Sequence, residues 1–292
     1  PFIGTGLASM VGGPLIDYLE ARPLMVLPLF GEMFSWQTVL VVVGLPGVLL
    51  ALVMFTIKEP ARTGVSADRV EGYSYADLWD FCKSRKKYLS FHFIAYLCLS
   101  IQGFAFLTWI VEFFVRRHGW SRTDIGLTYG AIAFFVGILG SVWAGYTAGK
   151  MIGQGRPDAP MRLTLYGTIG LGPLAVAMPL LSNDMLAIVV IIPITFFMAM
   201  PPGLSNAALQ AISPNRMRGQ LIAVYLICVS FLSYLFAPLI IGLMNDYVFK
   251  DDNAIHLSLS SLALINYVIA AICLYLSLDP LKDAIKRVVE FD

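Results

Sequence analysis

Ionisable and hydrogen-bonding side chains are scarce in this sequence, so those that fall inside apolar stretches are the first candidates for chemistry. Glu112 stands four residues before Arg116, the favourable order for a local ion pair on a helix, and it is also the acidic residue nearest to the interior of an apolar run. His92 lies near the end of the same run. Either group is a candidate for carrying a proton across a membrane, a task that requires an ionisable side chain at depth. Asn206 and Gln210 are four apart, hence on one helix face, and follow Pro201, Pro202 and Gly203. Asp17 and Asp246 sit at run ends and read as interfacial. An enzyme would need a constellation such as paired aspartates, HExxH, or serine with histidine, and none is present. Cys82, Cys98, Cys228 and Cys273 are scattered without CxxC spacing, which argues against a disulfide or a zinc site. No metal and no cofactor is expected.

These residues are carried by a chain of 292 residues that is 58% hydrophobic and only 13% charged, with a mean hydropathy of +0.76. A soluble domain carries about 25% charged residues, so most of this surface must face lipid. The net charge of +1 implies no nucleic-acid partner. Crossing a bilayer takes about 20 apolar residues. Runs free of Asp, Glu, Lys and Arg cover 1–16, 33–57, 88–111, 125–149, 163–183, 185–215, 219–245 and 253–278, eight in all. They are apolar all round, unlike barrel strands, which alternate over about 10 residues. The fold class is an all-α integral membrane protein. The first run is short and opens at Pro1 without a charged flank, so the chain reads as lacking an N-terminal portion.

Lysine and arginine set the orientation. With Pro1 on the cytoplasmic side, the inside connectors hold fifteen basic residues and the outside ones five. The cluster of Arg116, Arg117 and Arg122 is the exception. The expected location is the plasma (inner) membrane, multi-pass, with the N-terminal end of the chain and the C-terminus cytoplasmic. The connector 58–87 carries seven basic residues and ends in Lys83-Ser84-Arg85-Lys86-Lys87. It divides the chain into the last two helices of one bundle (1–57), a cytoplasmic central loop (58–87), a six-helix bundle (88–278) and a cytoplasmic amphipathic tail (279–292). Within the loop, 75–81 predicts a short surface helix capped by Ser74 with Asp77 in its first turn. In the tail, Leu281, Ile285, Val288 and Val289 fall near one face, as in a helix lying on the leaflet; a frayed polar tail is the alternative.

Helices in lipid associate through small residues that let backbones approach. Ala133, Gly137, Ser141, Gly145 and Gly149 recur every four residues, with Gly126 and Gly130 as a second short row, and Gly4, Ala8 and Gly12 offer a matching partner surface. The pattern fits a sliding contact between bundles or static packing. The run 185–215 contains Pro193, Pro201, Pro202 and Gly203. It predicts a broken helix lining a cavity, or a plain proline kink with interhelical hydrogen bonds.

Several motifs together resemble the Spinster-like branch of the major facilitator superfamily. Ile212-Ser213-Pro214-Asn215-Arg216-Met217-Arg218-Gly219-Gln220 followed by Ala223 resembles that branch's link between helices ten and eleven. Gly44-Leu45-Pro46-Gly47 with Lys58-Glu59-Pro60-Ala61-Arg62 is similar to its sixth helix, and Trp109 with Phe113-Phe114-Val115-Arg116-Arg117-His118-Gly119-Trp120-Ser121 to the end of its seventh. Gly145 with Gly155-Arg156-Pro157-Asp158-Ala159-Pro160-Met161-Arg162 resembles its eight-to-nine link. Two departures stand out. Gly149 and Lys150 occupy the place where the superfamily's loop motif has an aspartate, so no charge latch is expected there. The fifth-helix GPxxGG pattern is present only as Gly12-Gly13-Pro14.

The resemblance implies a twelve-helix fold of which helices five to twelve, eight of the twelve, are present, with helices five and eight packed across the two halves. It implies a substrate cavity lined by helices seven and ten and their neighbours: Gln102, Phe106, Trp109, Tyr129, Asn206, Gln210 and Tyr225. Such a wall, apolar with a few amides, suits an amphipathic or aromatic solute better than a sugar or a phosphate. The implied function is secondary active transport by alternating access, coupled to protons, of a lipid-like or hydrophobic organic solute. A drug exporter or organic-anion carrier of the same fold is the alternative. The coupling carboxylate is expected in the first four helices. The partners are then the solute, protons and the bilayer, and the full-length protein is expected to be a monomer. A channel is disfavoured, because no filter-like loop or charged ring is present.

Overall fold

The computed structural model describes residues 2–21, 24–27, 31–56, 58, 74–214, 217–251 and 253–289. Residues 59–73, half of the connector 58–87, along with Asn215 and Arg216, lie outside the described residues. Helix α1 (Phe2–Glu20) leads through an antiparallel hairpin, β1 (Leu24–Leu27) and β2 (Gly31–Phe34), into α2 (Ser35–Met54). The hairpin pairs Leu24 with Phe34 and Leu27 with Gly31. It is a small departure from the all-α expectation, which considered only the long uncharged runs.

The short helix α3 (Tyr75–Ser84) begins where its sequence signals a start. The Ser74 hydroxyl accepts from the Asp77 N–H at 3.2 Å, and the Asp77 carboxylate accepts from the Ser74 N–H at 2.8 Å, a reciprocal cap that satisfies two otherwise orphaned donors. Long helices α4 (Lys86–His118) and α5 (Arg122–Gly153) follow. Between them Gly119 takes the left-handed conformation at φ 72°, ending α4 as glycine readily does, and Ser121 caps α5 through the Asp124 N–H. Helix α6 (Ala159–Ala177) precedes α7 (Asp184–Met198) and α8 (Pro201–Ile212), which are one span interrupted at Ala199–Met200. Prolines 201 and 202 lack the N–H groups that would continue the ladder. Helix α9 (Arg218–Tyr225) runs through a wide turn at Leu226–Phe231 into α10 (Leu232–Leu243) and a second wide turn at Met244–Phe249. Helix α11 (Ile255–Val289) is continuous into the expected tail, so 279–289 extends the last span as helix.

Seven of these helical stretches are long and apolar enough to cross a membrane, among the described residues: Ser35–Met54, Lys86–His118, Arg122–Gly153, Ala159–Leu180, Asp184–Ile212, Arg218–Phe249 and Ile255–Arg287. The eighth expected run is helix α1, whose four glycines, Pro14 and Asp17 dilute its apolar character. The core lies where α11 packs on α4 and α6, with Tyr88, Tyr96, Phe113, Phe114, Met161 and Leu274 fully buried. Helix α2, by contrast, exposes Leu40, Val43, Leu49, Leu50 and Met54, an all-round apolar surface that only lipid or protein can cover.

Candidate functional site

A close interhelical contact joins α1 to α5, antiparallel, backbone against backbone, and Gly140 makes another between α5 and the Phe196 carbonyl of α7. A Cβ built on Gly130 would fall 2.8 Å from the Gly6 carbonyl, and one on Gly6 would fall 2.8 Å from the Gly130 carbonyl. Gly126 meets the Ser9 carbonyl at the same distance, and Gly13 lies against the Arg122 carbonyl. No side chain fits at these four positions without moving a main chain, so glycine is what brings the two helices together. The Met10 side chain also covers Gly130, and the Phe134 side chain covers Gly6, so along this track each helix seats a side chain over the other's glycine.

That track is closed at one end by polar groups. Asp17, on the last turn of α1, accepts from the Thr123 N–H at 2.8 Å and from the Thr123 hydroxyl at 2.6 Å, and so caps the N-terminus of α5 from another helix, where a negative charge meets the positive end of the dipole. Arg122 donates to Glu20 and to Glu112, each at 3.1 Å, while Arg116 binds Glu112 at 3.2 Å. The pairing of Glu112 with Arg116 follows from their spacing. The bridges from Arg122 join α1, α4 and α5, and sequence distance gives no signal of them. Nearby, the Trp120 indole donates to Asp184 at 2.9 Å, tying the α4–α5 corner to α7.

The expected interface residues sit differently. Gly4 and Ala8 are exposed, and Gly4, Gly12 and Gly145 have nothing within 4 Å of a Cβ position. Gly137 is buried, but Ser141 donates to the Gly137 carbonyl at 3.0 Å and to the Ala199 carbonyl at 3.2 Å, at the break between α7 and α8. Of the long four-residue row on α5, Ser141 serves the broken helix beside Gly140, which lies outside the row and meets the Phe196 carbonyl, Gly145 and Gly149 meet nothing, and the short row of Gly126 and Gly130 serves α1. The reason is geometric: each step of four advances the face by about 40°, so a row of five positions winds about 160° around the helix and passes from one neighbour to the next.

The seven expected cavity residues fall into separate groups. Gln102 is buried with an unpartnered Oε1; Trp109 Nε1 and Asn206 Oδ1 are likewise buried without partners, as is the Thr195 hydroxyl, which the sequence reading missed. Such orphaned groups are uncommon and call for a reason. Gln102 and Asn206 do not face each other. Gly103 lies opposite Met198, and His92 opposite Ser205, which places the two amides about ten residues, roughly 15 Å, apart in depth. Phe106 packs edge-on against Tyr129. Gln210 is exposed.

Tyr225 belongs to a different cluster, centred on His92. That ring is fully buried and hydrogen-bonded at both nitrogens, to the Tyr88 hydroxyl at 2.9 Å and to the Ser205 hydroxyl at 3.1 Å. Tyr96, with its ring 4.5 Å from His92, bonds Thr164 at 2.9 Å, and the Tyr225 ring stands 5.8 Å from His92. One buried polar knot thus links α4, α6, α8 and α9. Just outside the span, Arg85 is nearly buried with its guanidinium 4.2 Å from the Phe81 ring. Burial, and then the nearby Arg287 charge, hold its pKa below the usual arginine value.

A bundle of membrane-length helices, one of them broken by prolines, with a glycine track between two of them and isolated amides in an apolar wall, is the architecture of a membrane transporter. Residues 25–238 match the model of the Major Facilitator Superfamily, and the chain belongs to that family of transporters. Two solved structures share the fold. A bacterial homolog of the human lysosomal transporter Spinster, inward-facing and unoccupied, is 18% identical at a TM-score of 0.65, over 99% of this chain and 69% of that one. The inward-facing, occupied form is 20% identical at a TM-score of 0.60, over 97% and 67%. No curated protein matches the chain.

Proposed function

We propose that the chain forms helices five to twelve of a Spinster-like transporter, which moves a lipid-like or hydrophobic organic solute by alternating access, coupled to protons. The observation that carries this reading is the α1–α5 track, backbone against backbone at Gly6, Gly13, Gly126 and Gly130 and latched at one end by Asp17, Glu20, Glu112 and Arg122. A latch at one end with an open track toward the other is what rocking bundles need. The latched end is the extracellular one, which makes the conformation inward-facing, as in the two related structures.

Gln102, Trp109 and Asn206, at stepped depths with unpartnered polar atoms, support a path that offers single hydrogen bonds in an apolar wall. Such a path fits a long amphiphile better than a compact polar solute. Glu112, held by two arginines, works in the latch. His92, facing Tyr88, Tyr96, Tyr225 and Ser205, is the candidate proton-carrying group of this half that the latch does not occupy. Uptake of fluorescent single-chain amphiphiles into proteoliposomes, with and without an inward pH gradient, tests the reading. Uptake should rise with the gradient, and His92→Gln should blunt the rise while leaving gradient-free exchange intact. Uptake indifferent to the gradient would remove proton coupling from the account.

A further inference from the structure

At the end of the bundle away from the latch, a cavity of about 490 Å³ opens between the α5–α6 connector and the last turns of α11. Its volume falls within the roughly 300–1,000 Å³ of small-molecule sites. Arg156, Arg162, Lys282 and Lys286 line it, with Asp158 as the one lining carboxylate. The Asp158 side chain, only 4% exposed, takes Arg162 at 2.7 Å and has Lys282 at 3.8 Å; Lys282 also meets Asp279 at 3.3 Å. Among the described residues, no carboxylate pairs with the Arg156 or Lys286 charge. The cavity is thus a pre-built positive site. A buried aspartate orients part of it, and two cations are left for an incoming anion.

What lies next to the cavity selects the anion. On α6, Tyr166 and Ile169 are four and seven residues beyond Arg162, on the same face, and both are exposed; on α11, Tyr275 is seven residues before Lys282 and exposed as well. Seven residues are two turns, about 10 Å of depth. Below the positive mouth, both walls therefore continue into the membrane as exposed apolar stripes. A free phosphate would use the mouth and ignore the stripes, whereas a lipid would use both.

We propose that this cavity binds the phosphate headgroup of an anionic lipid, with the acyl chains lying along Tyr166, Ile169 and Tyr275. The guanidinium of Arg156 supplies a planar fork for phosphate oxygens and Lys286 a point charge. The site lies apart from the α1–α5 track and from the His92 cluster, so it binds lipid whether or not the proposed solute is correct.

The test is thermal unfolding of the purified chain in uncharged detergent, with phosphatidylglycerol, phosphatidylcholine or inorganic phosphate added in turn. At about a tenfold excess over Kd, phosphatidylglycerol should raise the unfolding temperature by about 3 °C, with little change from the other two. The double variant Arg156→Gln/Lys286→Gln should lose that rise, while Lys83→Gln/Lys87→Gln, in a separate groove that Arg85, Asp279 and Arg287 also line, should keep it. Native mass spectrometry gives a second readout, in which retained phosphatidylglycerol should fall about fivefold or more in the first variant only. An equal rise with phosphatidylcholine, an equal rise with inorganic phosphate, or a rise that survives the first variant would each overturn the proposal.

Discussion

The two halves of α5 place similar small residues in different surroundings. In the first half, Gly126 and Gly130 press on the backbone of α1, and the helix start is held by Asp17 and Arg122. In the second half, Gly140 meets the Phe196 carbonyl and Ser141 the Ala199 carbonyl of the broken α7–α8 span, but beyond them Gly145 and Gly149 face open space, and the helix runs out toward a basic cavity. A small residue in a membrane helix is thus no guarantee of an interface. Whether a neighbour's backbone lies over it decides the matter.

Substitutions can break or sharpen that contrast. Gly130→Leu places a large side chain where the Gly6 carbonyl lies. Overpacking of this kind costs about 1–3 kcal/mol. Strain of that size in the sliding state should lower proteoliposome uptake about tenfold or more while membrane insertion persists; normal uptake would refute the track. Arg122→Gln removes two half-exposed ion pairs, each worth about 0.2–1 kcal/mol. Thiol labelling of a Ser9→Cys reporter from the latched end should quicken about threefold to tenfold, and an unchanged rate would mean the latch holds nothing shut. Asp17→Ala deletes a cap worth about 1 kcal/mol and should lower the unfolding temperature by about 2–4 °C, with Asp17→Asn recovering much of the loss. Gly145→Leu, which meets nothing within 4 Å, should change stability by no more than about 0.5 kcal/mol. A large effect there would show that the second half carries a close contact beyond the one at Gly140.

Much of the fold was legible because it rests on short-range physics. The uncharged runs became helices, Ser74 and Asp77 formed the cap their spacing predicts, and Pro201 and Pro202 fell at the break. The hairpin and the wide turns at Leu226–Phe231 and Met244–Phe249 escaped notice, the first because it is short, the others because no residue type marks an inserted turn. The site was legible only in fragments. Gln102, Trp109 and Asn206 do hold unpartnered polar atoms, but Tyr225 packs with His92, and Gln210 is exposed.

Sequence alone settled which segments are apolar helices, where they start and break, and which family motifs they carry. These depend on neighbours within a turn or two, where the chain itself fixes the geometry. Tertiary structure decided that Gly6 and Gly13 meet Gly126 and Gly130, that Arg122 bridges two helices, and that Asp158 anchors a basic cavity. Those pairings follow from how helices cross and at what depth, and residues a hundred positions apart carry no local record of it.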